Sequence, residues 1–243
     1  MTYCVGMRLD KGLVFMSDTR TNAGVDNVFT FNKLFTWATP GERVIAIQTA
    51  GNLATTQAVV SLLNERMKAP EDRNPSILEV PTMFQVAKLV GETLKEIVRA
   101  QTGEGPVSES QFSATIIVGG QIAGSEPRLF LIYPEGNFIE ASKENPYFQI
   151  GEAKYGRPIL VRGYDPAMTF EQAAKLLLLS FDSTLKANLS VGMPLDLLAY
   201  EADSFVIDRA KRFEKDDAYF AALSEHWGNA LREAIRSLPD FSF

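Results

Sequence analysis

The order of elements along the 243-residue chain predicts an α+β fold in which antiparallel β-sheet lies between helical layers. Strand-like runs, then helical runs, then strands and helices again follow one another. Adjacent strand-like runs are joined by short turn signals rather than by helical crossovers, and 46% hydrophobic composition is ample for a substantial core. No Pro/Gly/Ser linker, composition shift or internal repeat divides the chain, so residues 1–243 are expected to form a single domain.

Taken in order, Thr2 to Leu9 and Leu13 to Thr19 are β-rich runs flanking Asp10-Lys11-Gly12, whose glycine can supply the positive φ of a hairpin. Lys33 to Thr39 and Arg43 to Thr49 flank Pro40-Gly41, and the four runs are most economically one antiparallel sheet. Gly51 closes the fourth strand. Leu53 to Met67 then has helical spacing, with Ala58, Val59, Leu62 and Leu63 as its apolar face, and a polar loop spans Ala69 to Asn74. Pro81 fits the first turn of a second helix, where a missing N–H costs nothing, and Val86, Val90, Leu94, Ile97 and Val98 carry its stripe. The polar segment Gln101 to Ser110 ends it. Strands resume at Phe112 to Gly119, Arg128 to Tyr133, Asn137 to Ala141 and Tyr147 to Ile150, with a turn at Pro134-Glu135-Gly136. Thr169 and Gln172 have capping-box spacing and open a third helix reaching about Ala187. Pro194 to Ser204 suggests a further strand, and Tyr219 to Ile235 a C-terminal helix.

Composition excludes several classes of function. A formal charge of −6, with 30 acidic against 24 basic residues and no dense basic run, argues against nucleic-acid binding. No apolar stretch approaches 18 residues and the N-terminus has no secretory pattern, so the chain reads as soluble, without membrane association and cytoplasmic. Cys4, the sole cysteine, excludes an intrachain disulfide. The sole histidine, His226, excludes zinc sites built on several imidazoles and reads as an ordinary helix-face residue.

One arrangement points to chemistry. Met1 is followed by Thr2, a small residue that normally permits removal of the initiator, and Thr2 would then carry a hydroxyl and a free α-amine, a nucleophile with its own base. The hairpin at Asp10-Lys11-Gly12 brings Asp18 back beside Thr2 to Cys4, where neighbours on adjacent strands lie roughly 5–8 Å apart. Lys33 opens the next strand in an otherwise apolar context. Beside an aspartate its charge would lower the pKa of a nearby α-amine, which starts near ~8 and needs only a modest shift to act as a base at neutral pH. A purely structural Asp18–Lys33 ion pair is the competing reading of the same spacing.

These residues carry a resemblance. Thr2 at the head of the strand, Ser17-Asp18-Thr-Arg-Thr-Asn-Ala-Gly24, Phe31-Asn-Lys33-Leu-Phe35 and Gln48-Thr-Ala-Gly51-Asn52 resemble, in order and spacing, proteasome β-type subunits. More closely, the chain resembles the bacterial proteasome-related Anbu proteins over essentially its full length. The resemblance implies the N-terminal nucleophile hydrolase fold, a four-layer αββα sandwich of two antiparallel sheets between helical layers. It also implies Thr2 as nucleophile, Lys33 as the pKa-lowering cation, Asp18 as its orienting partner and the Gly51 N–H as oxyanion donor, with no cofactor or metal. A glycine at 51 also lets substrate backbone approach closely. Self-assembly into a ring or open, helical ring-like homo-oligomer is implied as well.

Two segments depart from the β-subunit pattern. Gly151-Glu152-Ala153 stands where those subunits carry Gly-Ser-Gly, and Asn188-Leu-Ser190-Val-Gly192 where they carry an Asp and a Ser before Gly-Gly. Glu152, Asn188 and Ser190 are therefore expected as supporting site residues, with Glu152 either an extra acid near the nucleophile or a solvated loop residue. Asp182 and Ser183 either join the site or form a helix-end polar cluster. The expected substrate is a peptide or a small amide, with its pocket around Thr21, Thr36 and Thr49. The alternative is an assembly scaffold or binding chamber with little catalysis, against which stands a first strand that starts at Thr2 without the helical extension of noncatalytic subunits.

Overall fold

The computed structural model describes residues 2–23, 27–68, 75–102 and 109–243; the expected loop at 69–74 and most of the polar segment after the second helix lie outside them. Twelve strands are described: β1 (Tyr3–Leu9), β2 (Gly12–Asp18), β3 (Arg20–Ala23), β4 (Asn27–Thr30), β5 (Leu34–Thr39), β6 (Arg43–Gly51), β7 (Ala114–Ile122), β8 (Arg128–Ile132), β9 (Phe138–Glu140), β10 (Tyr147–Gly151), β11 (Leu195–Glu201) and β12 (Arg209–Phe213). The α-helices are α1 (Leu53–Lys68), α2 (Met83–Thr102), α3 (Arg157–Gly163), α4 (Phe170–Ala187) and α5 (Ala218–Ser237).

The strands form two five-stranded antiparallel sheets, ordered β10-β1-β2-β11-β12 and β5-β6-β7-β8-β9, with β3-β4 as a separate hairpin. This corrects the expectation of one sheet from the first four strands: β1 and β2 belong to one sheet, β5 and β6 to the other. The polar β3–β4 hairpin carries the chain between them.

Three apolar clusters define four layers. Ile45, Ile47, Ile116 and Val118 of the second sheet pack with Val59, Leu63, Val86 and Val90 of α1 and α2. Tyr3, Val5, Met7, Val14 and Met16 of the first sheet pack with Leu177, Phe181 and Leu160 of α4 and α3. The alternate residues Cys4, Leu13 and Phe15 meet Val44, Ala46 and Ile117 between the sheets. Strand side chains alternate between faces, so a strand buried on both reads as a continuous apolar run, as Leu13-Val-Phe-Met16 does. The fold is thus the expected αββα sandwich.

Local signals behaved as physics requires, with shifts. The β1–β2 turn is only Asp10-Lys11; Gly12 already pairs with Leu9, and a Cβ there would lie 2.0 Å from the Tyr200 carbonyl oxygen. Thr169 and Gln172 form the reciprocal capping box of α4. Pro81 precedes α2 instead of sitting inside its first turn, and the Thr82 hydroxyl caps by accepting from Gln85 N at 3.2 Å. The core face of α1 is rotated toward Thr55, Thr56, Val59, Val60 and Leu63, leaving Ala58 and Leu62 half-buried. His226 is exposed on α5.

Candidate active site

The two-residue turn sets the register of β1 against β2: Cys4 lies opposite Ser17, and one step on the Tyr3 N–H donates to Asp18 Oδ1 at 2.9 Å. Asp18 ends β2, its side chain fully buried. The same Oδ1 accepts from Lys33 Nζ at 2.8 Å, and Oδ2 accepts from Gly192 N at 3.3 Å. Lys33, just before β5, also donates to the Arg20 carbonyl at 2.6 Å. One carboxylate thus joins an ammonium to the peptide N–H that follows Thr2. Burial pushes the Asp18 carboxyl up from its ordinary value, while the Lys33 charge and the N–H donors pull it back.

Thr2 is half-buried at the mouth of β1 and is pinned from β10. Its carbonyl accepts from Glu152 N at 2.7 Å. Gly151 has φ +80, and a Cβ there would lie 1.9 Å from the Thr2 oxygen, so the turn after β10 can press on Thr2 only as glycine. Below, the Tyr3 ring packs on Phe181 at 4.4 Å, and its hydroxyl bonds Ser180 Oγ at 2.7 Å and accepts from Gln149 Nε2 at 2.6 Å. These contacts fix the residue that follows Thr2. Cys4, the other nucleophilic side chain nearby, is buried; desolvation first, then the Asp18 charge, push its thiol well up and keep it protonated.

Thr2, Lys33 and Gly51 meet in a cleft of about 390 Å³, walled also by Thr21, Asn32, Phe35, Thr49, Leu53 and Thr56. Backbone groups alternate sides along an antiparallel strand. Thr49 N donates to the Lys33 carbonyl toward β5, and Asn52 N to Ser113 toward β7, so the Gly51 N–H between them points to the β5 side, past the last strand pair and into the cleft. Gly51 has φ +121, and a Cβ there would meet Ser113 O at 2.4 Å, so the glycine requirement comes from the neighbouring strand rather than from substrate approach.

The structure brings Thr2, Asp18, Lys33 and Gly51 together and sets Glu152, Asn188 and Ser190 beside them. Asn188 Nδ2 donates to Glu152 Oε2 at 3.0 Å and its Oδ1 accepts from Ser190 N at 2.9 Å, so Glu152 is a tethered acid next to Thr2, not a freely solvated one. Asp182 and Ser183 do not join: Asp182 pairs with Lys186 at 3.0 Å and Ser183 donates to the Leu179 carbonyl. Of the expected pocket residues, Thr21 and Thr49 line the cleft and Thr36 does not, because β5 alternation turns Phe35 inward with Lys33. Asn32, Leu53, Thr56, Gly151 and the Tyr3 and Gly192 donors were not anticipated as site residues, although Asn32, Gly151 and Gly192 lie inside segments that the sequence singles out. Among the described residues no group of acidic, histidine or cysteine side chains could hold a metal ion, and no helix is long and apolar enough to cross a membrane.

Two sheets between helical layers, with a threonine at the mouth of the first strand and a buried lysine–aspartate pair beside it, define a protein of the proteasome-like class. The model of the family described as proteasome subunit matches residues 2–196, and the chain belongs to that family; among solved structures it is similar to several Anbu proteins. The Anbu protein (ancestral β-subunit) of Yersinia bercovieri is 46% identical with a TM-score of 0.93, each chain covered in full. An Anbu (Gly-1) mutant from Hyphomicrobium sp. strain MC1 is 51% identical with a TM-score of 0.93, again over the whole of both chains. The Anbu complex of Pseudomonas aeruginosa, solved as a helical assembly, is 48% identical with a TM-score of 0.93, covering 99% of this chain and 98% of the other. Proteasome subunit beta 2 of Pyrobaculum neutrophilum is 26% identical over 204 residues, covering 81% of this chain and 87% of the relative.

Proposed function

We propose that the chain is a threonine N-terminal nucleophile hydrolase that cleaves an amide bond, in a peptide or a small amide, after loss of Met1. The observation that carries this reading is the shared Asp18 Oδ1, which ties Lys33 Nζ to the N–H of Tyr3 and so fixes a positive charge beside the residue bearing the hydroxyl and amine. The Thr2 α-amine takes the hydroxyl proton as Oγ bonds to the substrate carbonyl carbon. The Lys33 field keeps that amine neutral enough to accept it. The Gly51 N–H donates to the oxyanion, a contact whose loss typically costs ~10² or more in rate. The C–N bond then breaks, and the leaving amine takes the proton from the α-ammonium, leaving an ester on Thr2. Water attacks that ester with the α-amine again as base, releasing the acid and restoring the hydroxyl. Glu152, Asn188 and Ser190 hold the turn that pins Thr2, and no step calls for a metal or cofactor.

The chain acts as a homo-oligomer in this proposal, a reading supported by the helical assembly of the Pseudomonas relative. Intact mass of the cellular protein and labelling by a threonine-directed electrophile test the activity. The expected result is a chain beginning at Thr2 with one adduct, abolished in Thr2→Ala. A mass that retains Met1, with no adduct, would overturn the reading and favour a scaffold or binding chamber; with activity present, peptide and small-amide panels separate peptidase from amidase.

A further inference from the structure

Ser17 and Gln48 are sealed into the layer between the two sheets. Alternation along β6 sends Gln48 inward with Val44, Ala46 and Ala50, and alternation along β2 sends Ser17 inward with Leu13 and Phe15. Both are fully buried. Gln48 Nε2 donates to the Met16 carbonyl of β2 at 2.8 Å, a bond from one sheet to the other. It brings the amide to the peptide that joins Met16 to Ser17. Yet Gln48 Oε1, an acceptor, and Ser17 Oγ, whose hydroxyl can donate, have no hydrogen-bond partner among the described residues. A buried polar atom left unpaired is costly, so two at one place call for a shared partner. The side chains around them are small: Cys4 stands opposite Ser17, and Ala46 and Ala50 flank Gln48 on the same face of β6. One water would accept from the Ser17 hydroxyl and donate to Gln48 Oε1, satisfying both.

We infer that Gln48 is a positioning residue for the reaction at Thr2: with Ser17 it holds one internal water between the sheets, and this polar link fixes where β6 stands relative to β1 and β2. The inference rests on the reading of Thr2 as nucleophile and of the Gly51 N–H as oxyanion donor. Gln48 lies three residues before Gly51, and the N–H of the next residue, Thr49, donates to the Lys33 carbonyl at 3.0 Å. Met16 lies two residues before Asp18 on β2, and β2 pairs with β1, which begins just after Thr2. A slide of β6 past β2 would therefore carry both the oxyanion donor and Lys33 away from Thr2. Apolar packing is non-directional and resists such a slide weakly, whereas a hydrogen bond has a preferred length and angle. The chemistry is sensitive to it, because a misplacement of about 1 Å can cost about 10²-fold in rate.

Labelling kinetics with a threonine-directed electrophile, chemical denaturation and a high-resolution crystal structure of the full chain test this. The crystal structure should show one ordered water within about 3 Å of both Ser17 Oγ and Gln48 Oε1. Gln48→Met fills a similar volume without a donor, so the maximal labelling rate should fall by about tenfold or more while the half-saturating electrophile concentration stays within about threefold. Ser17→Ala/Gln48→Met removes both polar partners together, so it should regain the stability lost in Gln48→Met and still label slowly. Gln48→Glu can donate to the Met16 carbonyl only as the protonated acid. Its rate relative to wild type should fall as pH rises, whereas the ratio for Gln48→Met should stay flat; the Asp18–Lys33 pair and the Cys4 thiol, the titratable groups on the neighbouring strands, are present in every variant. Wild-type labelling by Gln48→Met, or a double variant whose rate recovers with its stability, overturns the positioning role, and a dry gap between Ser17 and Gln48 overturns the water. A wild-type chain that takes no adduct overturns the hydrolase reading and the positioning role with it, while the water is still scored by the crystal structure.

Discussion

Breaking the Asp18–Lys33 pair should destabilise the fold by an amount its burial sets. The Asp18 side chain is fully buried and that of Lys33 is 6% exposed, at 2.8 Å, so removal of one partner strands the other charge away from water. Such half-removals cost about 3–5 kcal/mol, and at about 2–4 °C per kcal/mol for a chain of this size the melting temperature should fall by roughly 6–20 °C. Asp18→Asn removes the countercharge and leaves the Lys33 ammonium with neutral acceptors alone, the new amide oxygen and the Arg20 carbonyl. Lys33→Met leaves the carboxylate with the weaker donors Tyr3 N and Gly192 N. The double variant strands neither charge and should recover at least about 2 kcal/mol relative to the sum of the singles. Chemical denaturation of the four proteins measures the coupling. Single variants within about 1 kcal/mol of wild type, or purely additive effects, would refute the claim that this pair is a tightly held buried unit.

The same pair fixes the sign of a pH effect. Burial holds the folded Asp18 carboxyl above its unfolded value near ~3.9, so proton binding favours the folded state. That contribution is fully present below the unfolded value and is lost as pH rises through the folded one. Lys33 supplies the largest opposing pull, so Lys33→Met moves the window upward. The variant should therefore lose stability more steeply than wild type as pH rises from about 4 toward neutrality. An Asp18→Asn/Lys33→Met protein should lack this slope.

Gly51→Ala places a Cβ 2.4 Å from the Ser113 oxygen at φ +121, so both stability, by about 2 kcal/mol or more, and Thr2 labelling should fall; unchanged stability and labelling would refute the requirement for glycine at this position. Asn188→Asp sets two carboxylates about 3 Å apart across the present 3.0 Å contact, and Thr2 labelling should slow by about tenfold while Asn188→Ser slows it less. Tyr3→Phe leaves Ser180 and Gln149 without their buried partner and should cost about 1–3 kcal/mol in denaturation, with the fold retained.

How much was legible in sequence depended on whether a signal was local. The hairpin at Asp10-Lys11-Gly12 was enough to bring Asp18 back alongside Thr2 to Cys4, and the register agrees: Cys4 lies opposite Ser17 and the Tyr3 N–H donates to Asp18. Strands written as apolar runs, and a helix written with a capping box, were equally plain. β12 was not, because it is a charged edge strand, Arg-Ala-Lys-Arg-Phe, with only Phe213 buried. α3 was hidden by its seven-residue length and by a proline in its first turn. The partition of the first four strands into two sheets was invisible because pairing with β10 and β11, far along the chain, decides it.

The site shows the same limit with more consequence. Gly51 ends β6 and Lys33 just precedes β5 of one sheet, whereas Thr2 just precedes β1 of the other, so no local spacing could bring the three into one cleft. The stacking of the sheets does that, and the stacking is held by Cys4, Leu13, Phe15, Val44, Ala46 and Ile117, none of which carries chemistry. Tyr3 shows how closely the two are bound. Its ring belongs to the α4 core, its hydroxyl to the Ser180–Gln149 network and its N–H to Asp18. A change in the helical layer therefore reaches Thr2 through one buried side chain. For the nucleophile proposed at Thr2, just before β1, that anchoring is the physical condition for a fixed attack geometry.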